Sequence, residues 1–161
     1  MAIAPTTTRQ AHFPRIYIVA MSEISARLRR LVIRRANNRC EYCGLSQEGQ
    51  EANFHIDHIV PVVANGAAVA SNLALACVSC FLRKGARQTA VDPQSNSEVI
   101  LYHPRRDAWY IHFRWEGVRI IGLTPSGRAS VVALEMNRPL ILDIRREEIL
   151  LGRHPPQLPV S

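Results

Sequence analysis

A chain of 161 residues, 47% of them hydrophobic, has room for one domain with a real core. Its 20 basic residues outnumber 13 acidic ones, giving a formal net charge of +7 that points to a polyanionic partner without saying which. No apolar run reaches the ~18 residues of a membrane span, so a cytoplasmic protein with no membrane partner is expected.

All but one of the basic residues are arginine; the exception is Lys84. Arginine forks onto phosphate oxygens, which suits nucleic acid, although base composition of the gene produces the same bias. Residues 1–20 carry no helical period and read as an extension, disordered or not native to the protein, with Met21 as the natural start. Ser22 to Asn38 then predicts an amphipathic helix. Ile24, Leu28, Leu31, Val32 and Ala36 mark its apolar stripe, and Arg27, Arg29, Arg30, Arg34 and Arg35 cover much of the rest. Asn37 and Asn38 suit its end.

Cys40-Glu41-Tyr42-Cys43 follows directly, and a second pair, Cys77-Val78-Ser79-Cys80, lies further on. Two C-x-x-C turns suit one tetrahedral zinc with thiolate bonds of about 2.3 Å, in a closed site that leaves no open position for chemistry. Redox C-x-x-C motifs usually occur singly, so the doubled pattern favours metal over disulfides or four unrelated thiols.

Between the pairs, Phe54 to Ile59 predicts a short strand that Pro61 ends. Alternation puts Phe54, Ile56 and His58 on one face and His55, Asp57 and Ile59 on the other, unless the strand end breaks it. A neutral imidazole at His58 can take a proton from water near neutral pH, and a carboxylate at Asp57 can hold a hard divalent cation. Val62 to Ser71 is a loop containing Gly66, and Asn72 after it can bond loop backbone and hold the strand in register. The stretch to Arg87 carries the second knuckle and a short helix.

Asp92 to Asn96 is a turn cluster and Val99 to Tyr102 a strand. Tyr110 to Trp115 and Val118 to Leu123 flank Glu116-Gly117, a hairpin signal. Thr124-Pro125 starts a helix over 126–137, and Leu140 to Leu151 forms another, ended by Gly152, Pro155 and Pro156. His103, Arg105, Arg106, Asp107, Trp109 and His112 form a polar and aromatic cluster that either lines a groove or caps the hairpin.

Taken together, the segment from Cys40 to Gly85 resembles the HNH endonucleases, in their zinc-stapled ββα-metal branch, and the flanks are similar to small bacterial proteins of that type. The carriers are Cys40-x-x-Cys43-Gly44, His55-Ile56-Asp57-His58-Ile59-Val60-Pro61, Asn72-Leu73, and Cys77-x-x-Cys80 leading to Lys84-Gly85. The resemblance implies an α+β fold with a ββα-metal core stapled by a four-cysteine zinc site. An N-terminal helix and a C-terminal β-hairpin with helices complete one domain over residues 21–152, leaving 153–161 as a tail. It also implies a metal-dependent DNA endonuclease with His58 as general base, Asp57 as metal ligand and Asn72 completing the catalytic motif. Cofactors are then a structural Zn2+ on Cys40, Cys43, Cys77 and Cys80 and a catalytic Mg2+ or Mn2+.

The chain departs from the family at one motif position. Phe81 stands where Asn or His normally supplies a metal ligand. His55 is the candidate substitute, and the alternative is a catalytically impaired, zinc-stapled nucleic-acid-binding protein. Arg35, Arg39, Arg83, Lys84 and Arg87 are the candidate contacts to nucleic acid, with double-stranded DNA the expected partner.

Overall fold

The computed structural model describes residues 23–157; the expected extension over 1–20, the start at Met21 and the end of the tail lie outside the described residues. The first helix, α1 (Ala26–Arg35), begins where the Ser25 hydroxyl accepts the Leu28 N–H at 3.2 Å. It stops short of Asn38 because Asn37 and Asn38 take positive φ, which asparagine tolerates better than most residues. Its inner face is Ile24, Leu28, Val32, Ile33 and Ala36. Leu31 is 39% exposed, so the stripe is turned slightly from the expected one.

Strands β1 (His55–His58) and β2 (Leu73–Ala76) pair antiparallel, with His55 opposite Ala76 and His58 opposite Leu73. Helix α2 (Val78–Lys84) follows at once and completes a ββα unit. Every residue of β2 is buried, because α1 and α2 both pack on it. A strand covered on both faces reads as a continuous apolar run, as Leu73-Ala74-Leu75-Ala76 does.

The second half builds two further two-stranded sheets, β3 (Thr89–Val91) with β4 (Glu98–Ile100) and β5 (Phe113–Glu116) with β6 (Arg119–Gly122). Between them lies α3 (Trp109–His112), and after them α4 (Pro125–Ala133) and α5 (Pro139–Leu150). The helix expected over 126–137 ends at Ala133, and three further expectations shift here. The expected strand at Val99 starts at Glu98 and pairs with β3, which is too short to show a period. Tyr110 to His112 belong to a helical turn, since the Trp109 indole N–H turns in to the Tyr42 carbonyl at 3.1 Å. The hairpin loop is Gly117-Val118, one residue later than Glu116-Gly117. The Thr124 cap is as read, its hydroxyl accepting the Gly127 N–H at 3.0 Å. No helix among the described residues is long and apolar enough to cross a membrane.

Asp92 fastens the β3–β4 turn to α4. Its fully buried carboxylate accepts Nε and Nη2 of Arg128 at 2.8 Å each, and the Ser95 hydroxyl at 2.7 Å. The Arg128 fork holds this carboxyl well below the usual carboxylate range. A depressed folded pKa gives stability that is full above the ordinary carboxylate pKa and lost as pH falls through the folded one. Arg128→Ala should therefore lower the melting temperature at neutral pH and move acid unfolding to higher pH. Circular dichroism melts across a pH series check this, and an unchanged acid midpoint would refute it.

Candidate active site

The four cysteines come together from two turns. In the first, the Gly44 N–H bonds the Cys40 carbonyl at 2.9 Å, with Gly44 at φ +73°. A Cβ there would meet both the Trp115 ring and Pro156 at 3.1 Å, so position 44 requires glycine on two counts. In the second, Cys77 caps α2 and its sulfur accepts the Cys80 N–H at 3.4 Å. All four Sγ atoms are buried and lie within 4.8 Å of one another, positioned to bind a metal ion. Cys43 and Cys77 are 3.8 Å apart, far beyond a disulfide bond of about 2.05 Å.

Arg145, 1% exposed, reaches this cluster from α5 and donates to the Cys43 carbonyl at 3.2 Å. Hydrogen bonds from the neighbouring sulfurs, helped by this cation, hold the Cys43 thiol well below its ordinary value. Burial first, then the adjacent sulfurs, push Cys40 up.

Asp57 and His58 end β1 beside α2. Asp57 is 3% exposed and fully engaged. The Tyr42 hydroxyl donates to Oδ2 at 2.6 Å, and Lys84 Nζ lies 3.0 Å from Oδ2 and 3.3 Å from Oδ1. The same ammonium donates to the His58 carbonyl at 2.9 Å and is itself buried. Burial raises the Asp57 carboxyl above its ordinary range, with Lys84 and Tyr42 pulling against it. Both faces of β1 are covered near its end, so Ile56 and Asp57 are both buried and the in-out alternation disappears.

His58 borders a cavity of about 300 Å³ together with Asp57, Pro61, Phe81 and Gly85. Its Nε2 is buried and has no hydrogen-bond partner among the described residues. Burial lowers the imidazole pKa below its ordinary value, against a smaller opposing effect of Asp57. The neutral ring is therefore favoured at neutral pH.

Asn72 clamps the loop behind this strand. Its Oδ1 accepts the Val60 N–H at 2.9 Å, and its Nδ2 donates to the Val60 and Ala67 carbonyls at 3.0 Å each. Gly66 lets the loop close on it, since a Cβ there would stand 1.7 Å from the Val60 oxygen and 2.9 Å from Asn72 Nδ2.

The residues around Asp57 do not fit the expected Mg2+ or Mn2+. One carboxylate is present and already shared by Tyr42 and Lys84, while Phe81 offers no donor. His55 is exposed and stacks on Phe81, with ring centroids 4.4 Å apart and planes 10° apart. Among the described residues the four cysteines are the only cluster of three or more metal-binding side chains. Hard cations want several oxygen donors, and these are missing.

The expected nucleic-acid contacts separate into spent and unspent groups. Arg35 turns inward and donates to the Ala70 carbonyl at 2.7 Å and to that of Leu73. Arg39 bonds the Gly44 and Arg153 carbonyls, Arg83 pairs with Glu135 at 2.7 Å, and Lys84 serves Asp57. Among the described residues Arg87 alone of the five has no side-chain hydrogen bond or ion pair. Arg27, Arg29, Arg30 and Arg34 stay exposed along α1, and the described ion pairs include none of them. Sequence reading did not find Tyr42 as a partner of Asp57. Its only signal was a position inside a C-x-x-C turn, close to whatever the turn supports.

Residues 40–87 match the model of the HNH endonuclease family, a span that includes all four cysteines, Asp57, His58 and Asn72. The match likens this segment, under half of the chain, to a family that is generally nuclease. No curated protein and no solved structure matches the chain.

Gly66→Ala tests the clamp. The added methyl must displace the Val60 or Asn72 side of the loop, so stability should fall by about 1–3 kcal/mol. Urea unfolding measures this, and amide shifts at Val60 and Ala67 should move with it. Unchanged stability and shifts would show that the loop closes without Asn72.

Proposed function

We propose that the chain is an endonuclease that hydrolyses phosphodiester bonds in double-stranded DNA, with His58 as general base. The carrying observation is that His58 borders an open cavity and that its buried Nε2 has no hydrogen-bond partner among the described residues. In this reading a water between Nε2 and the scissile phosphate gives its proton to His58 as its oxygen attacks phosphorus. The P–O bond to the leaving oxygen breaks as the new one forms, and that oxygen takes a proton from solvent to leave as the hydroxyl. Tyr42 and Lys84 fix Asp57, and Lys84 also fixes the His58 carbonyl, so the base is held from behind. Arg87, just past the cavity-lining Gly85 and Ala86, and the exposed arginines of α1 offer charge to the backbone.

We further propose that the cysteine cluster holds zinc. A tetrahedron with metal–sulfur bonds of about 2.3 Å has sulfur–sulfur edges of about 3.8 Å, which the Cys43–Cys77 separation matches. Four thiolates on one zinc leave net negative charge, and Arg145 is the buried cation that answers it. Zinc here supplies a cross-link and no reaction. Cysteines given to a metal and not to disulfides fit a reducing, cytoplasmic setting.

Phe81 and the occupied Asp57 favour a second reading, a nucleic-acid-binding protein that has lost catalysis. Plasmid nicking by wild type and His58→Ala separates the two. Catalysis predicts a loss of roughly 10²–10⁴-fold in His58→Ala with unchanged DNA binding. Equal nicking by both proteins would leave only the binding reading. Nicking that requires added magnesium or manganese would mean that Asp57 releases Lys84 to accept the ion.

The base must be neutral to act, so the nicking rate should hold above the His58 pKa and fall as pH drops through it. Since burial lowers that pKa, the acid limb should lie below the ordinary histidine value of about 6.5. A limb above that value would exclude His58 as the titrating base.

Metal analysis should return one zinc per chain, and Cys77→Ser should cost cooperative unfolding as well as metal. Metal-free protein that melts like wild type would overturn the zinc assignment.

A further inference from the structure

The Lys84 ammonium lies among four oxygens. Its Nζ is 3.0 Å from Asp57 Oδ2, 3.3 Å from Oδ1, 2.9 Å from the His58 carbonyl and 3.5 Å from that of Gly85. An ammonium has three N–H bonds, so these acceptors spend them all. Both Lys84 and Asp57 are buried. A carboxylate offering both oxygens, with backbone carbonyls beside it, is the kind of donor set that a hard cation takes from a protein. Here a side chain of the protein itself holds it.

A divalent ion would have two ways in. Through the cage it must displace the ammonium, because metal–oxygen bonds of about 2.0–2.6 Å leave no room for both. From the His58 cavity it would meet donor side chains only at Asp57 and His58, since the other lining side chains are apolar. Phe81 stands in that wall with its ring stacked on His55. The Tyr42 hydroxyl already occupies Oδ2 at 2.6 Å. An ion there would also stand beside a buried ammonium, with little water to screen the repulsion.

We infer that Lys84 is the resident cation of this site: its ammonium stands on the Asp57 carboxylate in place of a divalent metal, and the site neither binds nor needs magnesium or manganese. Lys84 does not line the cavity, so it is a positioning residue that acts through Asp57 and the His58 carbonyl. The absence of binding stands whatever His58 does; the absence of need rests on the nuclease reading. Phe81 then agrees with its surroundings, because position 81 has no metal to hold.

The test uses substoichiometric manganese as a paramagnetic probe in amide NMR spectra, since manganese competes poorly for thiolates. In the wild-type protein the signals of Asp57, His58 and Gly85 should stay as sharp as the rest. In Lys84→Ala the emptied cage should take the ion, so those signals should broaden selectively and manganese should raise the melting temperature. Wild-type plasmid nicking should run at the same rate in buffer freed of divalent ions as with magnesium added. Selective broadening at Asp57 and His58 in the wild type, or nicking that requires added metal, would overturn the inference. Lys84→Ala that folds and shows no broadening would overturn the reading of the cage as a cation site. Loss of a buried partner can prevent folding, and the wild-type measurements then decide alone. A chain that nicks in neither buffer fails the nuclease reading, and the wild-type broadening still decides whether Lys84 keeps the metal out.

Discussion

The buried pair of Lys84 and Asp57 is the interaction on which the geometry of this domain turns. It joins the last residue of α2 to the end of β1, and Tyr42 adds the first cysteine turn to the same carboxylate. Burying two charges costs several kcal/mol each, and the pair is tolerable because its hydrogen bonds are shared among three elements. Removing either partner would leave an uncompensated charge, at a cost of about 3–5 kcal/mol. The three parts that must converge for the site, strand, helix and knuckle, are thus tied at one point. His58 is held through its own backbone carbonyl and leaves its ring nitrogen free.

The first cysteine turn is also where the two halves of the chain meet. Arg105 pairs with Glu41, Trp109 donates to the Tyr42 carbonyl, and Arg145 donates to the Cys43 carbonyl. The polar stretch from His103 to Trp109 is thereby used to close the second half over the knuckle. Two of its residues, Arg105 and Trp109, also line a cavity of about 280 Å³ beside that turn.

What could be read in advance follows from how local each constraint is. Cysteine spacing, the Asn72 loop and the Thr124-Pro125 cap depend on residues within a turn or two, and those features lie where the sequence put them. Of the ββα unit, the first strand and the helix at the second knuckle were legible in the residues, whereas β2 was implied only by the family resemblance. Side-chain destinations were not legible. Arg35 looks like its neighbours on α1, yet it alone faces the carbonyls of Ala70 and Leu73, and only the packing of helix on strand decides that. Lys84 reads as a surface cation because most lysines are, and its burial depends on a carboxylate 27 positions away. Strand β3 has three residues, fewer than any periodicity can mark, and exists because β4 is there to pair with it.

Arg145 makes the state of the cysteine cluster a matter for the C-terminal helix. It is buried, its Nε has no partner among the described residues, its guanidinium lies 5.0 Å from the centre of the Trp115 ring, and thiolates in the cysteine cluster would supply compensating negative charge. Oxidation of the thiols to disulfides, or their protonation, would erase that charge and strand a cation in the interior. The penalty would then fall on α5, more than a hundred residues from the first knuckle in the chain. The packing of α5 would in that way depend on sulfur chemistry in which the helix takes no part.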